Sequence, residues 1–165
     1  MILINNTKKG YILKKIFLMS LIALVFVACD GKKSAFVKNI PSQNDFNTTL
    51  SKLEKLITSK KLTLFETINH SKNANNVKMD LKPEAVVIFG NPKMGTILMQ
   101  CNPTMGLDLP LRILVHSDYE GVTTLSYTNP EYWTLKHNIK EKKCLEIITK
   151  AKIALENLVA ETAKK

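Results

Sequence analysis

The first 29 residues divide the chain before any fold is considered. Ile16 to Ala28 (IFLMSLIALVFVA) is apolar apart from Ser20; Lys8, Lys9, Lys14 and Lys15 precede it, and Cys29 follows at once, with Asp30-Gly31-Lys32-Lys33 behind it. Lysines kept on the cytoplasmic side, an apolar stretch for the translocon and a small residue before a cysteine make up a bacterial lipoprotein signal. As a helix the apolar stretch would span only about 20 Å, against roughly 30 Å of bilayer hydrocarbon, so a cleaved signal fits better than an uncleaved anchor or a buried core helix. Phe26-Val27-Ala28 meets the looser form of the lipoprotein box. The pattern predicts cleavage after Ala28 and acylation of Cys29, with palmitate among the chains, since durable anchoring takes more than one chain. The expected organisation is therefore a signal peptide at 1–28, a lipidated N-terminus and polar spacer at 29–42, and one domain at 43–165. The expected location is the periplasmic face of a bacterial membrane, inner or outer.

Without residues 1–28, 137 residues remain, enough for one domain with a real core. Four of the 24 basic residues and none of the 14 acids lie in the leader, which leaves twenty bases and a net charge of +6. Only one base is arginine, Arg112, and the lysines are scattered. Base readout leans on arginine and single-strand binding on aromatic platforms, so the charge reads as a solvated surface and nucleic acid is not an expected partner. The expected partners are the membrane, through Cys29, and either a small-molecule ligand or another envelope protein.

Asn44 or Asp45 can cap a helix whose Phe46, Leu50, Leu53 and Ile57 form one apolar stripe. Leu62–Ile68 alternates as a half-buried strand, and the β-branched run Ala85–Phe89 suits a central one. Asn91 as cap, Pro92 at the first helical position and Pro103 as stop delimit a short helix. Leu111–His116 and Gly121–Tyr127 read as an antiparallel hairpin, Pro130–His137 as a short helix, and Cys144 to about Ala163 as a long one carrying Ile148, Ala151, Leu155 and Leu158. Interspersed strands and helices, with one strand pair joined too tightly to be parallel, predict a two-layer α+β sandwich: a mostly antiparallel sheet against helices.

The stretches Ile68-Asn69-His70, Leu81-Lys82-Pro83, Val87-Ile88-Phe89-Gly90-Asn91-Pro92, Gly95-Thr96-Ile97-Leu98-Met99-Gln100, Leu107-Asp108-Leu109-Pro110-Leu111 and Tyr127-Thr128-Asn129-Pro130 with His137 carry a resemblance. Over Phe65–His137 the chain resembles the bacterial and archaeal family called domain of unknown function 302. The resemblance implies a small α+β sandwich with an antiparallel sheet, and a biochemical role not established for the family. This chain departs at Asn69, where the family usually has an acid before the matching histidine, and at Cys101, where it has a small residue.

Gly90-Asn91-Pro92-Lys93-Met94-Gly95 has the glycine spacing of a phosphate-binding loop, but Thr96 stands where the lysine is needed and Pro92 removes an amide. A packing turn or a generic anion site fits better. The ligand-binding candidates are Gly90, Asn91, Gly95, Thr96, Met99 and Tyr127, with Tyr132 and Trp133 lining a pocket or closing the sheet. His70, His116 and His137 with Met94, Met99, Met105 and Cys101 are the ligand types of a copper or haem site, although their spacing does not organise them. The metal candidates are His70, His137 and Met99, and no cofactor is firmly implied. Asp108 is either a turn partner for backbone amides or, with His70 and His137, part of an acid/base set. No nucleophile accompanies that set at a recognisable spacing, so the sequence leans towards a binding or accessory module over an enzyme or redox protein. Cys101 and Cys144 are either a disulfide or, for Cys101, a packed thiol.

Overall fold

The computed structural model describes residues 36–165; Cys29, the cleavage site and the start of the spacer lie outside them. In chain order the elements are β1 (Val37–Pro41), α1 (Phe46–Ser59), β2 (Thr63–Asn69), α2 (His70–Asn76), β3 (Glu84–Gly90), α3 (Pro92–Cys101), a 3-10 turn (Pro103–Leu107), β4 (Leu111–Ser117), β5 (Thr123–Thr128), α4 (Tyr132–Lys136) and α5 (Lys142–Ala163). The five strands form one antiparallel sheet in the order β1-β5-β4-β3-β2. Among the described residues no helix is long and apolar enough to cross a membrane.

Alternation decides which face is covered. On β3, β4 and β5, Val87, Phe89, Ile113, Val115, Leu125 and Tyr127 point to one side and pack with Leu53 and Ile57 of α1 and Leu155, Leu158 and Val159 of α5. The other face carries half-buried Val86, Ile88 and Leu114 beside Arg112, His116 and Thr124. Asp45 caps α1 by accepting from the Thr48 amide at 3.0 Å, and Asn91 caps α3 by accepting from the Met94 amide at 3.2 Å, each satisfying an amide the helix leaves free. The Asp108 carboxylate, expected as a partner for backbone amides, instead accepts from the side chains of Lys136 and His137. In the β4–β5 turn, Asp118 accepts from the amides of Glu120 and Val122, and Gly121 takes a φ of 82°, open to glycine at little cost.

Two elements differ from the sequence expectation. The expected spacer to Ser42 ends earlier, because Val37–Pro41 pairs with β5 as an edge strand, with Ile40 opposite Leu125 and partly buried against the main core. Its proline is the last residue of an edge, where a missing amide hydrogen is tolerated. The helix α2 had no apolar stripe to announce it: none of its residues is buried, and it starts where Asn69 accepts from the Lys72 amide at 2.8 Å.

β3 ends at Gly90, β4 begins at Leu111 and β5 ends at Thr128, so these termini share one end of the sheet. Val37 pairs with Thr128, which places the chain's entry into β1 at that same end.

Candidate functional site

At this end α3 leaves the sheet and crosses to α5, and a second packed cluster forms from Leu98, Met105, Trp133, Ile139, Cys144, Ile147 and Ile148. A pocket of about 540 Å³ lies between it and the main core. Its walls come from Gly90 to Met99 on one side, Gly106 to Leu111 on another, and Ile147 to Leu158 of α5, with Trp133 also lining it.

Local features of the sequence shape this cavity. The β2–β3 register slips between Leu64 and Glu66, and the extra residue, Phe65, is half-exposed at the rim; a bulge re-aims a side chain in this way. A Cβ built on Gly90 would lie 3.8 Å from both Phe65 and Pro110, and one on Gly95 would lie 3.8 Å from Leu109, so the glycines leave space rather than relieve a clash. On α5, Ala151 and Ala154 interrupt the larger residues Ile147, Leu155 and Leu158 and make the helix surface concave.

The polar groups of the lining are few. Asn91 spends its oxygen on the cap, and the Thr96 hydroxyl donates to the Pro92 carbonyl at 2.8 Å. Lys150 is the single charged lining residue, and it is exposed, with no ion-pair partner among the described residues.

Five of the expected ligand-binding residues, Gly90, Asn91, Gly95, Thr96 and Met99, line this pocket, as does Trp133. Tyr127 does not: it sits in the main core, 6% exposed, where burial, with the charge of Glu156 adding to it, raises its hydroxyl pKa above the usual range. Tyr132 instead packs on Phe36, ring centroids 4.4 Å apart.

The expected set of His70, Asp108 and His137 is split. His137 and Asp108 meet, Nε2 to Oδ2 at 2.5 Å, while His70 opens α2 beyond Asn69, which pairs with Ala85 at the far end of β3. Five steps of extended strand carry Ala85 to Gly90 at the pocket end, about 17 Å. The expected metal set of His70, His137 and Met99 is parted in the same way, with His70 at the far end of β3, and among the described residues no group of three or more His, Cys, Asp or Glu is placed to hold a metal ion.

Asp108 stands at the centre of a chain of hydrogen bonds. Burial, the largest single influence, raises its pKa, but hydrogen bonds from Lys136 and His137 and their charges together outweigh it and hold the carboxyl below the usual aspartate range. The carboxylate is an acceptor, so Nε2 of His137 is the donor in that contact. On the other side of the ring, Nδ1 lies 2.7 Å from the Thr104 hydroxyl, which is also 2.8 Å from Oδ1 of Asn102. The Asn102 amide is oriented by its own donation to the His137 carbonyl at 2.8 Å and by the Thr104 amide, which donates to Oδ1 at 2.9 Å. Both nitrogens of His137 are thus engaged by the protein, and the ring is only 3% exposed. The arrangement ties α4 to the segment between α3 and β4.

The disulfide alternative is the one the structure takes: Cys101 and Cys144 are bonded, with Cα atoms 6.8 Å apart, joining the end of α3 to the start of α5. Sequence reasoning missed Lys150, Phe65 and Ala154. A signal for two of them existed in the small residues Ala151 and Ala154 and in Lys150 beside them on the long helix; nothing in the alternation of β2 announced the bulge.

Comparison with known proteins bears on the family and the fold. A fluoride-specific ion channel of Brucella suis is 31% identical over 100 residues, 61% of this chain and 39% of that protein. Relatives of the same name in Brucella abortus and Brucella melitensis match over 61% of this chain and 37% of their own length. The chain thus spans less than two fifths of these curated relatives. The crystal structure of an uncharacterized conserved DUF302 protein of Bacillus stearothermophilus superposes with a TM-score of 0.69 at 16% identity, covering 79% of this chain and 99% of that one, a likeness of fold. The family model for the domain of unknown function DUF302 matches residues 38–161, and with that span covered the chain belongs to the DUF302 family.

Proposed function

We propose that this protein is a membrane-tethered binding module that takes up a small apolar molecule in the pocket between α3 and α5. The observation that carries the reading is the pocket itself: about 540 Å³, apolar-walled and built by the Gly90–Met99 stretch. That volume is in the usual range for small-molecule sites, and such sites are mostly apolar with few polar groups. Tethering through acylated Cys29 suits the geometry, since the chain enters β1 at the pocket's end of the sheet. The binding reading rests on the cavity, and the tethering reading on residues 8–33 of the sequence.

Trp133 supplies the assay, being the one tryptophan of the chain and part of the lining. Full-length protein in neutral detergent, titrated with ω-bromoundecanol, should show saturable quenching of Trp133 because the bromine comes within contact range. In Ala154→Phe, which fills the cavity from an exposed helix position, the saturable component should disappear. Quenching that rises without saturation, or that is equal in Ala154→Phe, would refute the pocket. The tether has its own test: the mass of protein extracted from membranes should equal residues 29–165 plus acyl groups on Cys29, and an unmodified chain beginning at Met1 would rule it out.

A further inference from the structure

We infer that the pocket takes a single-chain amphiphile ending in an anion, a long-chain carboxylate, with Lys150 as its counter-charge. The inference rests on the pocket reading above and adds the chemical class.

Three observations point to it. The lining carries one charge, from Lys150, and no acid. Lys150 is exposed, with no ion-pair partner among the described residues, while the oxygen of Asn91 and the hydroxyl of Thr96 are engaged in the N-terminal part of α3. An ammonium at the rim of an apolar cavity matches a ligand that is apolar along its length and anionic at one end, and it disfavours a cationic head by like-charge repulsion.

Volume sets the number of chains. A pocket of about 540 Å³ is in the range of drug-sized ligands, the size of one acyl chain with its head group. That size suits one acyl chain better than the two of a phospholipid. Each buried methylene contributes about 0.8 kcal/mol, so the chain supplies most of the affinity and Lys150 supplies discrimination between heads.

The test compares ω-bromoundecanoate, ω-bromoundecanol and an ω-bromoalkyl trimethylammonium on full-length wild type and Lys150→Met, with Trp133 quenching as readout. For each compound the ratio of wild-type to variant affinity cancels its partition into the micelle. Lys150 is exposed, and methionine keeps an unbranched apolar stem, so the variant should fold. The expected ratio is roughly fivefold to tenfold for the carboxylate, about one for the alcohol and below one for the cation, in keeping with a charge-assisted pair at a partly wet rim. A carboxylate ratio of one, with saturable quenching by both the acid and the alcohol, would overturn the anion assignment and leave the pocket standing. Failure of all three compounds to quench saturably would overturn the pocket and the inference together.

Discussion

Reducing the Cys101–Cys144 disulfide is the most direct test of how the pocket wall is held. The bond closes a loop whose ends are 43 residues apart, from the end of α3 through β4, β5 and α4 to the start of α5. In the chain-entropy account, a loop of about 43 residues lowers the entropy of the unfolded chain by about 13 cal/mol/K, or about 4 kcal/mol at room temperature. Breaking the bond with a phosphine removes no atoms, so the packing of Cys144, which is fully buried, is disturbed far less than by substitution. For a domain of this size each kcal/mol lowers Tm by roughly 3–4 °C, which puts the expected fall at about 12–16 °C. The measurement is thermal unfolding by circular dichroism, oxidised against reduced, with thiol labelling to show that both sulfurs are free. Because α3 is a pocket wall, saturable Trp133 quenching should weaken in the reduced protein below its Tm. A reduced protein with both thiols labelled and a Tm within about 3 °C of the oxidised one would refute the reasoning, since no loop closure of this length is thermodynamically silent in that account.

Three further outcomes are expected. Leu53→Ala, at a fully buried position between α1 and the sheet, should cost about 3 kcal/mol in urea unfolding, and a loss under 1 kcal/mol would mean the site collapses around the missing atoms. Asn91→Ala removes the acceptor for the Met94 amide and should cost about 1 kcal/mol; faster amide exchange in the first turn of α3 but not in α5 would locate the effect. Asp108 has a depressed pKa in the folded state, so its contribution is complete above the unfolded value near 3.9 and is lost as the pH falls through the folded value. The stability gap between wild type and Asp108→Asn, roughly 1–3 kcal/mol at pH 6, should therefore shrink on acidification below about pH 4, and a gap that widens there would contradict the sign.

The sequence carried those parts of the fold whose cause is local. Asn91, Pro92 and Pro103 delimit α3 because caps and proline act within a few residues, and Leu53 and Ile57 mark the buried face of α1 because helical spacing is a local property. The edge strand β1 was hidden because its reason to be extended lies in β5, almost 90 residues away, and four of its five residues are exposed. The candidate site divides in the same way. Gly90, Asn91, Gly95, Thr96 and Met99 lie on one strand-to-helix stretch and reach the pocket together. Lys150 joins them only because α5 returns across α3, and His70 departs from His137 only because β3 carries the two ends of the sheet apart. Tertiary distance of this kind leaves no trace in spacing.

The segment between α3 and β4 shows why the pocket is preformed. Residues 102–110 contain one 3-10 turn and otherwise no regular hydrogen-bond ladder, yet Gly106, Leu109 and Pro110 form a wall. A wall of that kind would be mobile if only its own backbone held it. Here it is fixed at three places: Cys101 is bonded to α5, Met105 is fully buried in the second cluster, and Asn102, Thr104 and Asp108 all bond to His137. None of Asn102, Thr104, Asp108 and His137 lines the cavity. On the proposed binding function, their work would be to order the wall before a ligand arrives, so that binding does not have to supply the ordering entropy itself. In that account His137 acts on affinity through its neighbours, and its removal should weaken apolar and anionic ligands alike, whereas Lys150 acts on the head group alone.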